Sequence, residues 1–222
     1  MVRRAVVKFG GADLSTGEKI RKAAQMVVNS GIKEVVVVVS AMGKTTDELI
    51  GHISKLGEIS DAEYADIVSM GERTSARLFS AALKSLGVNS TYFDPSMENW
   101  PIITDSNYLN AKPDLEKTKR LVKKYVEPLL GKCILVICGF LGKDSEGRVT
   151  TLGRGGSDTT AILLGNCLEA DEVMLVKETE GVLSADPKVV PSAKPLESLT
   201  IDEMFTLARG GAKIVRPESL RY

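Results

Sequence analysis

Apolar residues fall along this chain in two rhythms. Ala5-Val6-Val7, Val35 to Val39, Ile134 to Ile137 and Val173 to Val176 are short, unbroken and largely β-branched, which fits strands buried on both faces of a parallel sheet. Between them, Thr16 to Asn29, Ala62 to Leu86, Asp114 to Leu130 and Ser157 to Leu168 repeat at helical spacing. Asp114 follows Pro113, and Gly87 and Gly131 supply stops. Strand and helix alternate, so the expected architecture is an α/β layered sheet with ligands gathered at the carboxyl ends of its strands. The polar stretch Ser96 to Asn110 interrupts that alternation. It holds the sole tryptophan, Trp100, beside Pro101 and reads as a surface loop or short hairpin.

Composition narrows the classes of partner. With 222 residues and 43% hydrophobic content the chain can bury a full α/β core, as one large domain or a two-lobed one. The 29 basic and 29 acidic residues cancel, which excludes a broad positive field for nucleic acid or an anionic membrane. Val35 to Val39 is too short to cross a bilayer, and the N-terminus opens on a strand rather than a signal peptide. A soluble, cytoplasmic protein is expected. Cys133, Cys138 and Cys167 lack metal-ligand spacing and read as small core residues. His52, the only histidine, lies apart from every motif and is given no catalytic role.

The chemistry concentrates in Thr150 to Ala161, TTLGRGGSDTTA, where three glycines, an arginine, a serine and an aspartate share one turn from strand to helix. Glycine backbone can approach an anion closely, and the apolar helix that follows aims its N-terminal dipole at the same spot. Arg154 adds a planar fork for carboxylate or phosphate, and Asp158 can hold a metal, an ammonium or a lysine. A flexible loop ending in a helix cap is the plainer reading. Lys8 precedes Phe9-Gly10-Gly11 at a strand end, either as a solvated charge or as a phosphate ligand. Gly43-Lys44-Thr45 imitates the end of a P-loop, but the glycine required five residues earlier is Val38, inside the strand. Glu72 sits in a long amphipathic helix where glutamate is usually a surface charge. Gly71 beside it costs about 1 kcal/mol of helix stability, which hints that something approaches closely there.

Six segments in order, KFGGADL from Lys8, VVVVVSAMGKTTDEL from Val35, SMGERTSARLFSAAL from Ser69, the Thr150 turn, GVLSADPKVV from Gly181 and GAKIVRPESL from Gly211, together resemble the aspartate kinases of the amino acid kinase family. The resemblance implies a three-layer α/β/α sandwich with a mostly parallel sheet and two lobes. Residues 1–131 would mainly bind the amino acid, and residues 132–222 mainly the nucleotide. It implies transfer of the γ-phosphoryl of ATP, with Mg²⁺ as counter-charge, to the β-carboxylate of L-aspartate. Lys8, Asp158 and Lys213 would be catalytic, with Asp158 orienting the two lysines. Ser40, Thr45, Glu72, Arg154 and Ser157 would bind the amino acid, Glu72 taking its ammonium and Arg154 a carboxylate. Gly10, Gly11, Lys177, Glu178, Leu183, Lys188 and Ile214 would join Lys8 and Lys213 around the nucleotide.

Departures from the family pattern cluster at the nucleotide edge. Lys177 and Glu178 replace a threonine-aspartate pair, Leu183 an aromatic, Lys188 an arginine and Arg216 a histidine before Pro217. Two rivals remain from sequence: a family member acting on acetylglutamate, glutamate or a nucleoside monophosphate, and a non-catalytic ligand-binding subunit. An N-acyl group offers no ammonium, so Glu72 speaks against the first of those acceptors. The resemblance also implies a homo-oligomer or a separate or missing ACT regulatory part, and no second amino-acid site is evident in this chain.

Overall fold

The computed structural model describes residues 2–177, 181–186, 188–212 and 214–222. Five parallel strands form the central sheet: β1 (Arg4–Phe9), β2 (Glu34–Val39), β3 (Ser90–Phe93), β4 (Ile134–Cys138) and β7 (Glu172–Leu175), in the order β3-β4-β2-β1-β7. The valine run of β2 is the centre of the core, with Val35 to Val39 all at most 1% exposed. Burying a valine completely is worth about 1.5–3 kcal/mol, so this strand anchors the sheet. β7 is different. Among the described residues it pairs only with β1, at the sheet's edge, and its four residues are half-buried rather than covered on both faces.

Helices α1 (Gly17–Asn29), α3 (Asp61–Ser85) and α5 (Gly156–Leu168) match the expected periodic segments to within a residue or two. Thr16 caps α1, and Ser60 with Glu63 forms a reciprocal capping box on α3. Asp114 caps α4 (Leu115–Leu121), but the expected continuous helix to Leu130 changes winding. It passes through a π segment, Val122–Val126, and a 3₁₀ turn, Glu127–Leu129, where Pro128 cannot donate a helical hydrogen bond. The helix-like stretch around His52 is α2 (Thr45–Ile53), whereas sequence periodicity missed strand β3, the hairpin of β5 (Leu141–Lys143) with β6 (Val149–Thr151), and α6 (Ile201–Arg209).

The stretch from Ser96 to Asn110 is irregular, yet its centre is not surface. Trp100 is 2% exposed, its indole N–H donates to the Ile102 carbonyl at 2.9 Å, and Ile103 bridges Lys143 of the hairpin. Its polarity reflects hydroxyls that bond inward, such as Thr104 to Thr150 at 2.7 Å. Cys138 and Cys167 are buried and Cys133 is half-buried. The sheet runs without a break across residue 131, with β4 inserted between β3 and β2. No described helix is long and apolar enough to cross a membrane.

Candidate active site

Three parallel strands end on the first turn of α5. Lys8 is the penultimate residue of β1, Ser40 follows β2 and Gly139 follows β4, and their backbones continue the ladder through Ser40 N–H to Phe9 and Gly139 N–H to Val39. The first turn of α5 is reached through a hairpin and a glycine turn. Gly155 occupies its N-cap with a positive φ of 73°, and Gly153 takes 70°, conformations that other residues adopt only with strain. Gly139 has no room for a side chain either, since a Cβ there would lie 2.8 Å from the Ser157 side chain.

These ends enclose a cleft of about 300 Å³, lined by Lys8, Gly11, Ser40, Glu72, Arg154 and the Gly155 to Asp158 turn among others. Asp158 is nearly buried. Its Oδ1 meets Lys8 Nζ at 2.9 Å, and its Oδ2 accepts from Lys177 Nζ at 3.2 Å. Lys177 also donates to the Ile214 carbonyl at 2.6 Å. One carboxylate therefore binds two ammonium groups, from β1 and from just past β7, and fixes both beside the helix N-terminus. Ser40 donates to Ser157 across the cleft at 2.9 Å. Arg154 is exposed at the rim and lines the same cleft.

Glu72 enters from below on α3. It is 4% exposed, and its Oε1 accepts from the Ala41 N–H at 3.1 Å. Its Oε2 is buried with no hydrogen-bond partner among the described residues. Burial pushes the carboxyl up to about 7, while the bond from Ala41 pulls it down. The neighbouring glycine has a local explanation. A Cβ on Gly71 would lie 2.7 Å from the Ala41 methyl, so the loop after β2 rests directly on α3 and brings its N–H to Glu72.

Other expected site residues lie further out. Thr45 opens α2 with its methyl toward Gly71, and it is Thr46 that lines the cleft. Gly11 lines the cleft and sits so close to the Ala41 carbonyl that a Cβ would approach it to 2.8 Å. The Gly10 N–H, a candidate for phosphate, donates to Asp13 Oδ2 at 3.1 Å. Leu183 forms an isolated bridge with Pro195, and Lys188 is exposed with its backbone N–H on Asp186. Neither lines the cleft. Glu178 and Lys213 lie outside the described residues.

The cleft also includes residues that sequence reasoning passed over. Phe140 follows the β4 strand end at a φ of 67°, donates its N–H to Thr160, and packs so tightly on α5 that a Cβ on Gly156 would meet its ring at 2.8 Å. The strand followed by Gly139-Phe140 was a usable signal, the same one that singled out Lys8. His52 is exposed on α2 and apart from the cleft.

Comparisons with known proteins point to one family. The Amino acid kinase family profile matches residues 3–222. The aspartokinase of Corynebacterium glutamicum is 39% identical over 98% of this chain and 51% of its own length. The crystal structure of E. coli aspartokinase III in complex with aspartate and ADP superposes with a TM-score of 0.89 at 26% identity, covering 98% of this chain and 59% of that one. Aspartate kinase from Synechocystis gives 0.81 at 33% identity, over 98% and 36%. This chain thus spans about half the length of the curated relatives it matches. A profile match along almost its whole length, on a parallel sheet whose strand ends converge on one glycine turn, makes the chain a member of the amino acid kinase family.

Proposed function

We propose that this chain carries the phosphoryl-transfer domain of an aspartate kinase, moving the γ-phosphoryl of ATP to the β-carboxylate of L-aspartate and releasing ADP and 4-phospho-L-aspartate. The observation that carries this reading is Glu72, a buried carboxylate with one unpartnered oxygen on the same cleft as Lys8, Arg154 and Ser157. An ammonium would satisfy that oxygen, and cations across the cleft suit carboxylate and phosphate. The names of the aspartokinase relatives and the aspartate and ADP bound to the E. coli enzyme support the same acceptor and nucleotide.

In the reaction, a β-carboxylate oxygen attacks the γ-phosphorus, the bond to the bridging oxygen breaks, and that electron pair leaves with ADP. The nucleophile is already ionised at neutral pH, so no general base is required. Catalysis is then positioning and charge stabilisation. Lys8 is assigned to the β- and γ-phosphates with Asp158 holding it. Ser40, Thr45, Arg154 and Ser157 are assigned to the amino acid's carboxylates, and Gly10, Gly11, Lys177, Leu183, Lys188 and Ile214 to the nucleotide. Lys213 and Glu178 are proposed on the resemblance alone. So are the lobe roles of residues 1–131 and 132–222, a homo-oligomeric or ACT-regulated assembly, and a cytoplasmic location. Mg²⁺ would supply counter-charge on the phosphates. Such an ion would be held chiefly by phosphate and water.

A coupled ADP-release assay tests this with aspartate, N-acetylaspartate, glutamate, acetylglutamate and UMP as acceptors. Turnover is expected with aspartate and not with its N-acetyl form. No turnover with aspartate, or faster turnover with UMP or acetylglutamate, would sink the proposal.

A further inference from the structure

Arg216 does something in this fold that its place in the sequence did not suggest. From the C-terminal segment it reaches back to the glycine turn ahead of α5. Its Nη1 donates to the carbonyls of Arg154 at 2.9 Å and Leu152 at 3.1 Å, and more distantly to Asn110 Oδ1 at 3.5 Å. Its methylene stem lies on Gly155, where a Cβ would approach Arg216 Cγ to 3.0 Å and Cδ to 3.1 Å. A Cβ on Gly153 would stand 3.3 Å from Nη1. The turn's two left-handed glycines thus also let the arginine lie flat against it. Its Nε faces Glu218 at 3.5 Å. Two further ties fasten the same segment: Ser219 to Thr159 on α5 at 2.6 Å, and the Ile214 carbonyl to Lys177.

A turn with two residues at positive φ has many accessible conformations, and α5 alone orders only its downstream end. The two clamped carbonyls belong to Leu152 and Arg154, immediately upstream of that end. We infer that Arg216 is a positioning residue, which fixes the Gly153 to Gly156 turn so that Arg154 and Ser157 face the acceptor carboxylate before substrate arrives. This deepens the aspartate-kinase reading and rests on it for the identity of that carboxylate. A guanidinium suits the task because Nη1 alone carries two N–H donors for the two carbonyls while the flat, weakly hydrated group and its stem lie along the two glycines.

The test uses amide hydrogen exchange and isothermal titration on the ligand-free chain, its Arg216→Ala and Arg216→Lys variants. In Arg216→Ala, amides of residues 153–157 should exchange at least about tenfold faster while α1 and β2 keep their protection. The dissociation constant for aspartate should rise about tenfold or more, and that for ADP should change less than about twofold. Arg216→Lys should fall between the variant and the wild type on both measures. Unchanged exchange in the turn would overturn the inference. Equal weakening of aspartate and ADP together with a general loss of protection would do so too, since that is ordinary destabilisation. If the wild-type chain binds no aspartate, the acceptor assignment fails, and exchange in the turn still decides whether Arg216 positions it.

Discussion

Two regions that meet at Asp158 are built differently. On one side, Glu72, Ala41 and Gly71 belong to the close-packed interior, where the Ala41 methyl rests on the Gly71 backbone and the carboxylate is held before any ligand arrives. On the other, past Val176, only Ala208 and Ser219 are buried among the described residues, and order comes from isolated polar ties made by Lys177, Arg216 and Ser219. Recognition of an ammonium demands a desolvated charge and hence a rigid frame, whereas a polyphosphate can be gripped by long cations that reach in from an exposed edge. Asp158 joins the two, with one oxygen on Lys8 and the other on Lys177.

Asp158→Asn cuts the joint and should have the largest effect. Turnover should fall at least about 10²-fold with the fold intact, the scale of losing electrostatic preorganisation. Near-normal ADP release in that variant would break the comparison at its centre.

Glu72→Gln sharpens it, by raising KM for aspartate about 10- to 150-fold, the equivalent of about 1.5–3 kcal/mol for a charge-assisted bond, with KM for ATP unmoved. A rise in KM for ATP instead would place Glu72 in the wrong pocket. The same variant should gain stability where the wild type is weakest. Burial raises the Glu72 carboxyl from 4.5 to about 7. Between those values the native protein holds a proton that the unfolded chain has released, so stability falls as pH rises through that window. Above it the buried charge costs on the order of 3 kcal/mol. Thermal melts at pH 8 should therefore find Glu72→Gln more stable than wild type, and the advantage should vanish by pH 5. An unchanged difference between the two pH values would show that Glu72 does not titrate in this window.

A related effect is smaller. An ammonium beside Glu72 favours its ionised form, so aspartate binding near pH 6.5 should release up to one proton. Titration in two buffers of different ionisation enthalpy measures it, and identical apparent heats would refute it. Smallest is Ser219→Ala, which removes one tie on the exposed side. The loss should be about 0.5–1.5 kcal/mol in denaturant melts, because Thr159 retains the Gly155 carbonyl. A loss several times larger would mean that this edge is as tightly integrated as the other.

What could be read from sequence follows the same division. Buried parallel strands announce themselves as β-branched runs, so β1, β2 and β4 were legible, and the glycine turn was legible because its backbone needs residues that few other structures need. β3 escaped because Ser90-Thr91-Tyr92-Phe93 lies at the sheet's other edge and is only partly covered. The buried Trp100 escaped because its surroundings are polar groups that satisfy one another. Gly71 signalled a close approach without saying by what, and the answer was Ala41 rather than a ligand. Arg216 and Lys177 could be seen only as departures from a pattern. Their work is done on carbonyls and a carboxylate 19 to 64 residues away, and no local spacing encodes that.

The strand order has a consequence for how the protein is made. β1 is translated before the other strands of the sheet, and one of its edges waits for β2, about 30 residues later, while the other waits for β7, paired at Ala5 with Glu172. At ordinary ribosomal speeds that second edge stays open for roughly 8 to 35 s. An apolar strand with an unpaired edge is an invitation to other nascent chains, so the interval favours contact with a chaperone. Pairing with β7 covers that edge of β1 and brings Lys177 to Asp158 in the same motion, so the strand is protected as the second lysine reaches the carboxylate.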